Sequence, residues 1–148
     1  MAKICVSTEI KATKKQVWEV VKDISDHVNW MKDAESIAFL SEKRSGVGTT
    51  FDCGTKVGPF RLKDKMEITE WIEEESMGVR HEGLVTGSGR FSLKETSNGQ
   101  TLFTWEETLY FPFWMGGPLR NPAGTRILAW IWKKNLKLLK HQVESSVL

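Results

Sequence analysis

The chain has 148 residues, 21 of them basic and 19 acidic, for a net charge of +2. That balance argues against a dedicated nucleic-acid binder, whose cations should leave an electrostatic footprint, and the length fits a single domain spanning residues 1–148. Seven Trp and seven Phe against one Tyr exceed what one tightly packed core needs.

Residues 3 to 11 open the chain with Ile4, Val6, Thr8 and Ile10 alternating against Lys3, Ser7, Glu9 and Lys11, the period of a half-buried strand. Thr13 and Gln16 then form a Thr-x-x-Gln capping box, which starts a helix by satisfying its free amides. Val17, Trp18, Val20, Val21 and Ile24 share one arc of that helix. A short second helix or turn is expected over Asp26 to Met31.

Six strands are predicted between Glu35 and Phe111, separated by turn signals at Ser45-Gly46, Val57-Gly58-Pro59, Glu73 to Ser76, Gly83 to Gly87 and Ser97-Asn98-Gly99. Asn98-Gly99 is the best tight-turn signal, because both residue types tolerate positive φ. Short turns imply antiparallel pairing, with Lys63, Lys65, Glu67, Arg80, Glu82, Arg90, Ser92 and Lys94 on a wet outer face. Asn121-Pro122 suits the start of a last helix reaching about Glu144. Its apolar arc gathers Ile127, Leu128, Ile131, Trp132, Leu136, Leu138, Leu139 and Val143, with Asn135 and Gln142 inside it.

Strand parity picks out the inward polar residues. Phe60, Leu62, Met66 and Ile68 carry Asp64 inward, Met77 and Val79 carry His81, and Phe103, Trp105 and Leu109 carry Glu107. Two carboxylates near a histidine can run general acid/base chemistry, so Asp64, His81 and Glu107 are the catalytic candidates. Such residues are more often hydrogen-bonded structural groups, and no catalytic role is assigned to them.

Asp23, Asp26, His27 and Asp33 lack the spacing of zinc or calcium sites, so no metal is expected. No cofactor is expected either. Gly46 and Gly48 read as a turn into a strand, because no helix start follows them. Lys133, Lys134, Lys137 and Lys140 could meet an acidic surface but read as a solvated helix face. No Gly-x-Ser-x-Gly nucleophile motif occurs. Cys5 and Cys53 are isolated, and the N-terminus lacks an apolar leader. The expectation is a cytoplasmic protein with no integral membrane association, monomeric in preference.

The element order, together with Val17-Trp18, Asp23 and Trp30, Gly46-Val47-Gly48-Thr49, Thr104-Trp105-Glu106-Glu107 and the Trp-rich last helix, resembles the helix-grip superfamily. That superfamily holds START-related, birch-pollen-allergen-like and polyketide cyclase-like (SRPBCC) proteins. The resemblance covers essentially the whole chain. It implies an α+β fold in which a curved seven-stranded antiparallel sheet wraps a long C-terminal helix and leaves a cavity between them.

A hydrophobic or amphipathic small molecule, lipid or aromatic polyketide-like, is the partner implied. The expected wall comprises Trp30, Phe51, Met66, Ile68, Val79, Phe91, Trp105, Leu109, Ile131 and Leu138, with polar selection by His81, Glu107 and Asn135. Phe113 and Trp114, in the Phe-Pro-Phe-Trp-Met-Gly-Gly-Pro-Leu segment 111–119, would either plug the core or gate the mouth on a Gly116-Gly117 hinge. Two alternatives stand beside ligand binding: a cyclase or dehydratase using the cavity's acid/base residues, and a protein-interaction module.

Overall fold

The computed structural model describes residues 1–112, 114 and 122–147. Strand β1 (Ala2–Ile10) is followed by helix α1 (Lys14–Val21), a 3-10 turn (Ile24–Asp26) and helix α2 (His27–Trp30). Strands β2 (Ala34–Phe39), β3 (Thr50–Val57), β4 (Phe60–Ile72), β5 (Ser76–Glu82), β6 (Thr86–Glu95) and β7 (Thr101–Tyr110) come next, and helix α3 (Pro122–Ser146) closes the chain. The expected α+β helix-grip architecture is present. One sheet in the order β1-β7-β6-β5-β4-β3-β2 is antiparallel throughout.

Local chemistry explains the junctions. The capping box forms as expected: the Gln16 amide donates to Thr13 Oγ1 at 3.2 Å, and the Thr13 amide donates to Gln16 Oε1 at 2.9 Å. Thr13→Ala is therefore expected to lower stability by about 1 kcal/mol, read from the midpoint of urea unfolding. At Gly58-Pro59, Val57 pairs directly with Phe60, and Gly58 adopts φ +58° to close this two-residue turn. The turn at Asn98-Gly99 differs from expectation. Only Gly99 takes positive φ (+74°), because five residues, 96–100, separate the paired Glu95 and Thr101, and the longer loop spares Asn98.

The outer sheet face carries the expected charges: Arg80 reaches across to Glu67 on β4 at 2.6 Å and along its own strand to Glu82 at 2.9 Å, and Arg90 on β6 reaches Glu70 on β4 at 2.8 Å. Helix α3 buries Leu128, Trp132, Leu136, Leu139 and Val143 in one continuous core with α1, α2 and the inner sheet face. Its two polar arc residues dock it. Asn135 Nδ2 donates to Asp33 Oδ1 at 2.6 Å, its Oδ1 accepts from the Lys32 amide at 3.1 Å, and Gln142 Nε2 donates to Asp26 Oδ2 at 2.7 Å.

Two members of the expected apolar arc are not in the core. Ile127 is 53% exposed and Leu138 39% exposed. At 100° per residue both stand more than about 100° round from the centre of the buried stripe. The buried stripe is narrower than the apolar arc that 100° steps gather, and these two residues lie at the arc's edge.

Candidate functional site

Between the inner sheet face and α3 lies a cavity of about 140 Å³. Four strands send alternate residues to it, Phe51, Cys53 and Thr55 from β3, Leu62, Asp64, Met66 and Ile68 from β4, Met77, Val79 and His81 from β5, and Trp105, Glu107 and Leu109 from β7, and Phe91 joins them from β6. Leu128 and Trp132 face it from α3. Trp105 and Trp132 stack with centroids 4.4 Å apart and planes 11° apart, tying the sheet wall to the helix wall.

The polar part of the wall depends on glycines. In the sheet register Val79 pairs with Gly89 and Gly89 with Glu107, while Met66 pairs with His81 and His81 with Gly87. Glu107 on β7 and His81 on β5 are thus separated by a strand whose inward positions there have no side chain. Glu107 folds across Gly89, and His81 Nε2 lies 3.2 Å from Glu107 Oε1, with both side chains only 8% exposed. A Cβ on Gly89 would come within 2.3 Å of that same oxygen. Gly83 makes the corresponding room for Asp64, whose Oδ1 would meet a Cβ there at 2.2 Å. Asp64 Oδ1 instead accepts from the Leu84 amide at 3.0 Å.

Burial and charge set the protonation of these groups. Desolvation lowers the His81 pKa, but the charge and hydrogen bond of Glu107, with the charge of Asp64, outweigh it, so the pKa is raised. Burial raises the Asp64 carboxyl against the backbone amides and His81, which lower it. Burial also raises Asp33, despite hydrogen bonds from Asn135 and from Trp132 Nε1 at 3.2 Å. The Cys53 thiol is pushed up to about 11, chiefly by desolvation, which leaves it a poor nucleophile. His27 also borders the cavity, but its Nε2 donates to the Val21 carbonyl at 2.7 Å, and burial lowers its pKa.

The structure thus brings Phe51, Asp64, Met66, Ile68, Val79, His81, Phe91, Trp105, Glu107 and Leu109 to one cavity. It places the other expected wall residues elsewhere. Trp30 is fully buried behind the wall, packed on His27, Phe91, Phe103 and Trp105. Ile131 is half-buried outside the lining, and Leu138 faces outward. Asn135 is occupied at both ends of its amide by the docking of α3. Trp114 is exposed, while Phe113 and the Gly116-Gly117 hinge lie outside the described residues.

Asp33, Cys53, Leu128 and Trp132 were missed as wall residues. The signal for Cys53 was present in its shared parity with Phe51. The acids near α2 serve separate partners: Asp23 accepts from Ser25, Asp26 from Asn29 and Gln142, and Asp33 from α3. Among the described residues no three His, Cys, Asp or Glu side chains are grouped to hold a metal, and no helix is long and apolar enough to cross a membrane.

Solved structures share this architecture over nearly their full lengths. A protein from Thermus thermophilus superposes with a TM-score of 0.81 at 19% identity, covering 97% of this chain and 98% of its own. A START superfamily protein from Mycobacterium smegmatis gives 0.79 at 12%, covering 98% and 99%. Ara h 8.0201 gives 0.69 at 12%, covering 97% of each chain. At these identities the likeness is one of fold. No curated relative matches the chain by sequence. A family model described as polyketide cyclase / dehydrase and lipid transport matches residues 1–144, and the chain belongs to that family.

Proposed function

We propose that the protein binds a small hydrophobic or amphipathic molecule non-covalently, with its apolar part in the cavity and a hydrogen-bonding end at the His81–Glu107 pair. The observation that carries this reading is an apolar, aromatic-walled void with one buried acid–base pair in its wall. A void of 140 Å³ compares with the roughly 150 Å³ engineered cavity that takes up benzene. Single-ring aromatics with a hydroxyl or carbonyl, or a short acyl group, match it best. Larger lipids need the walls to move.

Pockets of this kind combine apolar walls with a few placed polar groups. We place the protein as a monomeric single domain in a reducing, cytoplasmic setting, consistent with two unpaired cysteines, one exposed and one buried. A second reading is acid/base turnover by the same pair, favoured by the raised His81 pKa beside a carboxylate. Turnover with a pH profile that Glu107→Gln displaces would support it.

The test is thermal unfolding with phenol, benzyl alcohol, indole and a fatty-acid series. A compound at a hundred times its Kd adds about 2.7 kcal/mol, or roughly 6–10 °C for a chain of this length. Met66→Trp, placed to fill the void, is expected to abolish the shift while the variant still melts cooperatively. No shift with any single-ring compound, or an undiminished shift in the filled variant, rules out this cavity as the site.

A further inference from the structure

Helix α3 has a second face that neither the core nor the cavity uses. Outward from it stand Ile127 and Leu138 with Trp130, which is 58% exposed, and among them the exposed cations Arg126, Lys133, Lys134 and Lys137. The sequence from 122 to 143 has no Asp or Glu. Lys134 Nζ sits 3.9 Å from the centroid of the Trp130 ring. Among the described residues, none of the four cations has an ion-pair partner, whereas Lys65, Arg80 and Arg90 on the sheet's outer face are each paired with a carboxylate. The net charge of the chain is only +2, so these four cations leave the rest of the molecule net negative.

We propose that this outward face of α3 is a docking surface for an anionic lipid bilayer. A helix that lies in a membrane interface carries Lys and Arg on its polar side and Trp, Phe or Leu on the other. Tryptophan in particular settles at headgroup level, where its ring is buried and its N–H stays wet. Here the apolar and cationic residues share one face, so headgroup phosphates and acyl boundary are met together. The negative remainder of the molecule is repelled by the same surface, which fixes the orientation. A nucleic acid would find phosphate partners here but no use for Ile127 and Leu138. The opposite side of the same helix contributes Leu128 and Trp132 to the cavity, so docking brings the cavity wall within one helix diameter of the bilayer. The docking proposal does not depend on what the cavity holds.

The experiment is co-sedimentation of the full chain with vesicles of phosphatidylcholine alone and with one third phosphatidylglycerol, at low and high salt. Binding is expected to the anionic vesicles only and to fall as salt screens the surface. Each cation near such a surface is worth about a fivefold change in partitioning. The Lys133→Glu/Lys137→Glu double variant reverses two charges and is expected to lose more than about a hundredfold. Quenching of the intrinsic fluorescence by brominated lipid should fall in Trp130→Phe. All three positions are exposed, and an unchanged melting temperature confirms that each variant folds. Absent binding to anionic vesicles at low salt, or equal binding to both vesicle types, overturns the proposal. So does a concentration-dependent dimer abolished by Trp130→Ala in a protein that ignores vesicles, which would make the face a contact between copies.

Discussion

Trp105→Ala is expected to lower the unfolding free energy by about 3–5 kcal/mol, the range for emptying a large aromatic site. The residue is 4% exposed and is the meeting point of the aromatic cluster. Phe91 lies 5.5 Å away, Trp30 6.1 Å and Trp132 4.4 Å, centroid to centroid. Its neighbours belong to the sheet on one side and α2 and α3 on the other, so they cannot collapse into the gap without undocking a helix. The enlarged void should also take up indole. Equilibrium urea unfolding with and without indole is the measurement: a large loss, partly restored by indole in the variant only. A loss under about 1 kcal/mol would mean that the Trp105–Trp132 stack is not part of the packed core.

The fold was legible in the sequence because its signals are local and redundant. Thr13 and Gln16 announce a helix start through a bond pattern confined to four residues, and Gly58-Pro59 announces a turn that allows only one register. Strand parity carried Asp64, His81 and Glu107 to the inner face correctly, since period-two alternation survives as long as no bulge intervenes. The irregularities fall between Ile68 and Glu70 on β4 and between Ala34 and Ser36 on β2, away from all three residues.

The site was less legible, because its geometry depends on side chains that are absent. Gly83, just after β5, and Gly89, on β6, are what let the two carboxylates lie flat against the sheet. Gly83 and Gly87 read as turn punctuation in the sequence, and Gly89 carried no signal. Asn135 looked like a cavity group because it interrupts an apolar arc. Its bonds to Asp33 and the Lys32 amide come from residues about a hundred positions away, a distance that no periodicity argument spans. Ile127 and Leu138 fall at the edge of the apolar arc that helical phase gathers, and only the packing of α3 on the sheet shows that burial stops short of them.

Glu107→Gln is expected to reverse the direction of the His81 shift. In the native protein desolvation is the largest single influence on His81 and lowers its pKa, and only the charge and hydrogen bond of Glu107, with help from Asp64, raise it. Glutamine has nearly the shape of glutamate and can still accept from Nε2, but it has no charge. What is left to oppose burial is Asp64, itself driven toward its neutral acid form by desolvation. His81 should then titrate below the ordinary histidine range instead of above it.

The consequence for stability has a definite sign. A folded-state pKa raised above the unfolded value contributes stability that is fully present below the unfolded pKa and is lost as pH rises through the folded one. Native His81 therefore favours folding on the acid side, whereas His27, with its lowered pKa, opposes folding there. In Glu107→Gln both histidines act against folding as pH falls. At pH 8, where His81 can remain neutral and hydrogen-bonded, the variant should lie within about 1 kcal/mol of the native protein. The gap should then widen steadily towards pH 5. Imidazole proton shifts followed by NMR give the His81 pKa directly, and urea midpoints at the two pH values give the stability difference. A His81 pKa that stays raised in the variant, with a stability gap constant from pH 8 to 5, would show that Glu107 is not what holds the proton.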